Sequence, residues 1–492
     1  MEWPAMALFI LVLWPQAIYT PSVHREYMES AMSRAYLVES IPTGLEDLRT
    51  ADGHYTEAVL HRLVEQTRHS IDLTAMYWTL RTDNTRPDEM GLTEERLLEL
   101  GADHGRSLFD ALLSAAARGV HIRILQSPGF GDAAESEVLR EQFPEQVEIR
   151  QINMVDWYES GIMHHKLWIF DQTAFYLGSA NMDWRALTQV KEIGIGVEAA
   201  PELTADVVRF YDTWWAFCAL EPSTRRVFDP AVRIERVVPA WSALVPVADR
   251  APNPLDQPHL RTSYNLTHPL PVTLNDAPAT VVITSSPPEI CPPGRTTDLD
   301  AMLHTIHEAE ESLCLSFMNF VPLGFYGGTY DHSDDKMKID GQLAMPLWWP
   351  DFNDALIQAA VTRGVQVRLL MSRWAHTSPY TEPYLRALRD TARAALANPH
   401  MGSGTLDIKW FLTPGWDRVA GTNRQYPEFS RVNHTKYIVS DKRVNIGTSN
   451  ISWGYFATTS GTSFNSDHAD LVRQLQAVFD RDWESRYAYP LV

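Results

Sequence analysis

HHKLWIFDQTAFYLGSAN, residues 164–181, and HTKYIVSDKRVNIGTSN, residues 434–450, decide how this chain is read. Each begins with His-x-Lys, runs through an apolar stretch to an Asp, and closes on Gly-x-x-Asn. Side chains of a strand alternate faces, so His164 and Lys166 project from one side, as do His434 and Lys436. Asp171 and Asp441 end these strands and are expected to hold neighbouring backbone or a basic side chain. Gln172-Thr173 supplies a turn, and Ala174 to Leu177 returns as the next strand. Gly178-Ser179-Ala180-Asn181 and Gly447-Thr448-Ser449-Asn450 close the returning strands. Glycine permits close backbone approach, and an Asn amide can donate to an oxyanion.

The similarity extends outward from the two motifs. IDLTAMYWTL, Ile71 to Leu80, reads as a strand, SLFDALLSAAARG as a helix and VHIRILQS as a second strand. In the second half LCLSFMNF, DFNDALIQAAVTRG and VQVRLLMS repeat that order. Ala117-Arg118-Gly119-Val120 and Thr362-Arg363-Gly364-Val365 mark equivalent corners, where glycine suits the end of a helix. Asn181 to Trp214 and Asn450 to Trp483 are both 33 residues apart, each pair ending in an aromatic and acidic cluster. We therefore place one repeat at 35–225, a second at 280–492, and a Pro-rich linker or wrapped loop at 226–279. Repeated strand–helix–strand units predict an α/β architecture, a mixed sheet flanked by helices in each of two related lobes. The Gly-, Pro- and Asn-rich stretch from Ala395 to Arg431 reads as an insertion bordering the site.

Composition narrows the function. The 492 residues carry 42 basic and 62 acidic side chains, a net charge of −20. That argues against a protein held to nucleic acid by general charge attraction, and leaves room for a small basic cleft. Ala5 to Trp14 form an unbroken apolar run before Pro15-Gln16-Ala17, which predicts a signal peptide or short anchor over residues 1–20 and a possible membrane association there. The run is short for a membrane span, which needs about 20 apolar residues. The three cysteines, Cys218, Cys291 and Cys314, allow one disulfide at most, and no Cys/His group has zinc spacing. Asn265 opens a glycosylation sequon in a polar stretch. The sequons at Asn433 and Asn450 lie inside the motifs and are expected to be bare.

Together the halves supply two His, two Lys and two Asn. Two ammonium groups and two amides suit a phosphodiester and the charge that builds on its oxygens. One imidazole can attack phosphorus; the other can protonate the leaving oxygen and then activate water. The lysines bring the positive charge, so neither metal nor cofactor is expected. Glu192, eleven residues after Asn181, is placed to accept a hydrogen bond from His164. His165 points to the opposite face and reads as structural. Trp214 and Trp483 read as core. Tyr77, Trp78, Asn319 and Phe320 end strands that could reach the cleft, and are candidate substrate contacts.

HxKxxxxD followed by GSxN resembles the signature of the phospholipase D superfamily, present twice. The first copy matches at His164, Lys166, Asp171, Gly178, Ser179 and Asn181. The second matches at His434, Lys436, Asp441, Gly447 and Asn450, with Thr448 in place of serine. LVESIP, MYWTL, YLGSANMDWRALTQVKE, CPPGRTTDL, RVNHTKY and NIGTSN look like one animal branch, the third and fourth phospholipase D proteins. The resemblance implies two pseudo-twofold lobes sharing one active site, with His164 as nucleophile and His434 as general acid. It also implies a lysosomal or other secretory-pathway enzyme that degrades single-stranded DNA or RNA from the 5′ end. Phospholipid hydrolysis or transphosphatidylation is the alternative chemistry, and a catalytically weak binding protein the non-enzymatic one. A homodimer is compatible with the sequence. Relatives carry an acidic residue shortly after the second GxSN. Ile451 to Asn465 has none, so His434 is expected to lack the carboxylate that Glu192 would give His164.

Overall fold

A computed structural model of the chain describes residues 32–82, 86, 89–128, 134–327, 329–331, 336–338, 345–398, 400 and 403–492. The expected signal peptide or anchor lies outside the described residues. No helix among those described is long and apolar enough to cross a membrane.

Two large sheets carry the fold, and their strands run in the same order. The first is His54–Tyr55, Arg34–Ser40, Glu192–Glu198, Ala174–Gly178, Leu167–Phe170, Ser70–Ala75, His121–Gln126 and Val147–Gln151. The second is Leu270–Leu274, Ala277–Ile283, Ser463–Ser466, Val444–Gly447, Lys436–Ser440, Ser312–Phe317, Gln366–Ser372, Thr405–Phe411 and Ala488–Pro490. Each sheet is parallel across its last crossovers and antiparallel around its motif hairpin. The helices Ala102–Ala117 and Pro201–Phe217 flank the first sheet's chain, and Asp298–His307, Thr381–Leu396 and Ala469–Glu484 the second's. This is the expected α/β architecture. The motif strands are buried on both faces, which explains their apolar runs. Gly119 and Gly364 both take positive φ, 91° and 76°, at the matching helix-to-strand corners.

Several boundaries differ from the sequence reading. The strand read over Ile71 to Leu80 stops at Ala75, and Trp78–Thr79 pairs separately, in parallel, with Met182–Asp183. The second-half helix is α-helical over Asp351–Ile357 and widens into a π turn at Gln358–Thr362. The 226–279 segment is not only loop. Thr224–Asp229 and Ile234–Pro239 form a hairpin, and Leu270–Leu274 is an edge strand of the second sheet. The end of the 395–431 stretch folds back on the first repeat. Arg431, 1% exposed, donates to the carbonyls of Pro414 and Thr43, and Arg185 donates to the carbonyl of Glu428.

One hydrophobic core runs through both repeats, taking in Leu177, Ile193, Trp214, Val281, Tyr437, Ile446 and Phe479. Trp214 is fully buried in it, while Trp483 packs at its margin. Beside this core the repeats are tied by buried charge. Lys191 Nζ lies 2.6 Å from the carboxylate of Asp482, and Arg481 donates to Glu39 at 2.6 and 3.0 Å. Arg295 closes a second buried pair on Asp206. Such pairs add little net stability, but breaking one leaves an uncompensated charge that costs about 3–5 kcal/mol.

The motif aspartates are clamps on backbone. Asp171, itself at φ 49°, accepts the N–H groups of Arg68, His69 and Ser70 at 2.8, 2.6 and 2.9 Å. Asp441 accepts those of Glu310, Glu311 and Ser312 at 3.0–3.2 Å. Each therefore fixes the entry to the central strand of its sheet. Burial pushes the Asp441 carboxyl up, but its three N–H donors more than offset this and hold it below the ordinary carboxylate range. A group depressed in the fold contributes stability above its unfolded pKa and loses it as pH falls. We expect Asp441→Asn to lower unfolding free energy by about 1–3 kcal/mol at neutral pH in urea titrations. The gap to wild type should narrow below about pH 4. Asp171→Asn should destabilise to a similar extent while leaving activity per folded molecule intact. A catalytic role for either aspartate would instead show as lost turnover in a fully folded variant.

Candidate active site

The two motifs meet because the lobes exchange backbone pairing. Lys191 bridges Asn433 in parallel, and Met163 bridges Ser460. The backbone N–H of His434 donates to the Lys191 carbonyl at 2.8 Å, and that of His164 donates to Ser460 Oγ at 2.8 Å. Each histidine is thus held by the strand entry of the opposite lobe. The lysines are anchored alike: Lys166 Nζ donates to the His164 carbonyl at 2.8 Å, and Lys436 Nζ to the His434 carbonyl at 2.7 Å. Both are 1% exposed, and His164 and His434 are 4% and 8% exposed. The motif hydroxyls pin the adjacent strand. Ser179 Oγ donates to the Ile193 carbonyl and accepts the Ile193 N–H, and Thr448 makes the same pair of bonds with Thr462. Threonine therefore replaces serine in this pair of strand contacts. Gly178 and Gly447 leave room for that strand: a Cβ on Gly178 would lie 2.6 Å from the Cα of Gly194, and one on Gly447 would lie 2.8 Å from the Ser463 side chain.

Glu192 corrects the sequence reading. Its two carboxylate oxygens lie 2.9 Å from Nδ1 of His434, not against His164. The parallel bridge between Lys191 and Asn433 turns the Glu192 side chain across the lobe boundary, so the carboxylate serves the other half's histidine. Counting eleven residues from Asn450 reaches Gly461, whose hypothetical Cβ would lie 2.3 Å from Ser449 Oγ. Residue 461 therefore offers His164 no carboxylate; the buried Asp298, whose Oδ2 would lie 3.4 Å from that Cβ, is taken up by the hydroxyls of Thr284, Ser449 and Ser463. Among the described residues no side chain bonds Nδ1 of His164.

Burial sets the electrostatics. It pushes both histidines well down, His164 with the help of Lys166, Lys436 and His434, and His434 with that of Lys436 and Lys166. The backbone bridges and the Glu192–His434 contact bring the two motifs together, where these groups act on one another. Burial lowers Lys436 to about 7 against the pull of Glu192, and lowers Lys166 as well, with Lys436 adding to the effect. Glu192 is pushed well up by burial, against Lys436, the Ser179 hydroxyl and Lys166. The site thus buries four basic side chains around one carboxylate, a set that a bound anion would complete.

Asn181 and Asn450 stand at the strand ends beside the histidines. Asn450 Nδ2 donates to Tyr455 Oη at 2.9 Å, and both Oδ1 atoms lack partners. Asn433 and Asn450 are fully buried within the motifs, a position in which their sequons stay bare. Asn265 uses its amide locally, donating to the Gly294 carbonyl. His165 is fully buried edge-on against Phe210 and Trp214, and burial lowers it to about 3, as suits a structural histidine. Of the four candidate substrate contacts, two are corrected. Trp78, 1% exposed, donates Nε1 to Gln126 inside the first lobe, and Phe320 belongs to the second lobe's core. Tyr77 and Asn319, one residue earlier and on the other face, are half-buried. Tyr77 Oη donates to Asp183, two residues beyond Asn181, and the Asn319 carbonyl accepts the Ile451 N–H next to Asn450.

The sequence reading missed Lys191, Ser460 and Tyr455. Tyr455 stands edge-on to His164, with ring centroids 5.1 Å apart. The three free cysteines form no disulfide, and no group of described residues could hold a metal.

Known proteins with the same features place the chain. A family model described as "PLD3/4, PLD-like domain" matches residues 231–415, and one described as "Cardiolipin synthase, PLD-like domain" matches 97–215. The 5′-3′ exonuclease PLD3 of Rattus norvegicus is 35% identical over 93% of this chain and 80% of its own length. The virion nicking-joining enzyme of vaccinia virus is 30% identical over 93% of this chain and 89% of its own. Phospholipase D Z of Dictyostelium discoideum is 29% identical over 92% and 90%. With the doubled His-x-Lys site and this extent of identity, the chain belongs to the phospholipase D superfamily and is a phosphodiesterase of that family.

Proposed function

We propose that the chain is a 5′-to-3′ exonuclease on single-stranded DNA or RNA, working through a phosphohistidine in an acidic secretory-pathway lumen. The observation that carries this reading is 35% identity across 93% of the chain to a relative named a 5′-3′ exonuclease. The paired motifs supply the chemistry. A phosphodiester monoanion between Lys166 and Lys436 offsets their mutual repulsion and restores charge to both, while Asn181 and Asn450 donate to its non-bridging oxygens.

The unequal histidines divide the work. A nucleophile must be unprotonated; burial lowers both histidines, and His164, beside two lysines, has no carboxylate on its ring to counter it. A general acid must carry a proton, and His434 shares one with Glu192. In the first step a His164 ring nitrogen bonds to phosphorus. The P–O bond to the leaving group breaks, its electron pair staying on oxygen, which takes the proton from His434. In the second step His434 accepts a proton from water, the water oxygen bonds to phosphorus, and the N–P bond breaks.

Side-by-side digestion separates the substrate classes. End-labelled single-stranded DNA and RNA should be shortened from the 5′ end between pH 4.5 and 7.5. Release of head groups from phospholipid vesicles with no nucleotide release would instead assign the chain the activity named for its Dictyostelium relative. His164→Ala should abolish turnover and acid-labile phosphoryl labelling of the enzyme. His434→Asn should retain labelling from a p-nitrophenyl phosphodiester, whose leaving group needs no acid, and should accumulate the adduct. Labelling of the His164→Ala enzyme would overturn the assignment.

The lysine predicts a pH limb. Lys436, lowered to about 7, carries its charge below that pH and loses it as pH rises. kcat/KM, which reports the free enzyme, should therefore fall about tenfold per unit above roughly pH 7. kcat should stay level to higher pH, because the bound anion holds the proton on. A kcat/KM flat to pH 9 would show that Lys436 does not govern binding.

A further inference from the structure

The two halves differ at a second pair of equivalent positions. Five residues beyond Asn450 stands Tyr455, half-buried; five residues beyond Asn181 stands Ala186, 2% exposed. Both lie in the short helices that follow the motifs, Trp184–Thr188 and Trp453–Ala457. Tyr455 makes two contacts that nothing in the first half reproduces. Its ring stands edge-on to the His164 imidazole, 5.1 Å between centroids at 79°. Its Oη accepts the Asn450 amide at 2.9 Å. Edge-to-face ring pairs contribute roughly 0.5–1.5 kcal/mol and fix orientation.

The tyrosine meets the histidine whose lobe carries glycine in place of Glu192. At Gly461, the counterpart of Glu192, a side chain would meet Ser449 Oγ and Ser286 Oγ at 2.3 and 2.5 Å. His164 is therefore tied by its backbone to Ser460 Oγ, while no described side chain bonds Nδ1. The ring is met by the Thr448 backbone but by no carboxylate, and an edge-on aromatic neighbour adds the restraint that keeps its attacking nitrogen aimed at phosphorus.

We propose that Tyr455 is the positioning residue of the nucleophilic half, its ring holding the His164 imidazole for attack and its hydroxyl orienting the Asn450 amide toward the phosphoryl oxygens. The proposal rests on His164 being the nucleophile. It predicts an asymmetry that a purely structural residue would not give: Tyr455 acts more on formation of the phosphohistidine than on its hydrolysis, in which the N–P bond itself holds the ring.

Burst kinetics with a p-nitrophenyl nucleotide phosphodiester test this. The burst rate reads adduct formation, and decay of the labelled enzyme, sampled by alkaline denaturing quench, reads hydrolysis. Tyr455→Leu should slow the burst at saturating substrate by on the order of tenfold or more, since small misplacements of reacting groups cost up to about a hundredfold. Adduct decay should fall clearly less than the burst rate does, and an unchanged melting temperature verifies an intact fold. Tyr455→Phe keeps the ring and should restore the burst rate while raising KM about threefold to tenfold. An unchanged burst in Tyr455→Leu, or an equal fall in formation and decay, overturns the inference alone. A wild-type enzyme that forms no adduct on His164 overturns the phosphohistidine reading, and this inference with it.

Discussion

Burial of like charge is the constraint on which the site depends. Lys166 and Lys436 face a common volume at 1% exposure, flanked by two imidazoles, with Glu192 the carboxylate set among them. Ionised groups without partners are costly in such surroundings, and burial lowers the proton affinity of both lysines and both histidines. Each ammonium is partly met by the carbonyl of the histidine two residues before it. That same bond fixes the spacing of His and Lys on their strand. A phosphodiester supplies the missing anion and hydrogen-bond acceptors together, so substrate binding is also charge completion. The scaffold around the motifs serves to keep these groups together in the absence of that anion. The core shared by both repeats, the Lys191–Asp482 and Arg295–Asp206 pairs and the aspartate clamps on the strand entries resist the repulsion.

Much of this was legible because it follows from strand geometry. A period of two puts His164 with Lys166, and His434 with Lys436, whatever the rest of the chain does. The aspartates were readable as clamps because they end strands. The position of His165 on the opposite face followed from the same alternation. That rule, applied more strictly, would also have separated Tyr77 from Trp78 and Asn319 from Phe320, since neighbours in an extended segment cannot both face the cleft.

The partner of Glu192 was not legible. The nearer histidine along the chain is His164, and local reasoning assigns the carboxylate there. In the fold the strand carrying Glu192 begins with a bridge from Lys191 to Asn433, so its first side chain serves the opposite lobe. The sequence holds no local trace of that exchange. Nor does the absence of acidic residues over Ile451 to Asn465 deprive His434, because its carboxylate comes from residue 192. The histidine left without one is His164. Likewise the hairpin at Thr224–Asp229 and Ile234–Pro239 was hidden by the Pro-rich composition around it, since tertiary pairing decided it.

Duplication by itself would give two histidines in matching environments, and matching environments give matching proton affinities. Catalysis through a covalent intermediate needs the opposite, one imidazole bare and one protonated, at the same pH. Register position 192/461 breaks the symmetry electrostatically, with a carboxylate on the histidine ring on one side and a glycine crowded by Ser449 and Ser286 on the other. Position 186/455 breaks it sterically, with a buried alanine against a tyrosine that touches both His164 and Asn450. The two breaks fall on opposite histidines. On the proposed mechanism proton supply falls to His434 and orientation to His164, a division that would turn a repeated strand motif into a single site with a direction.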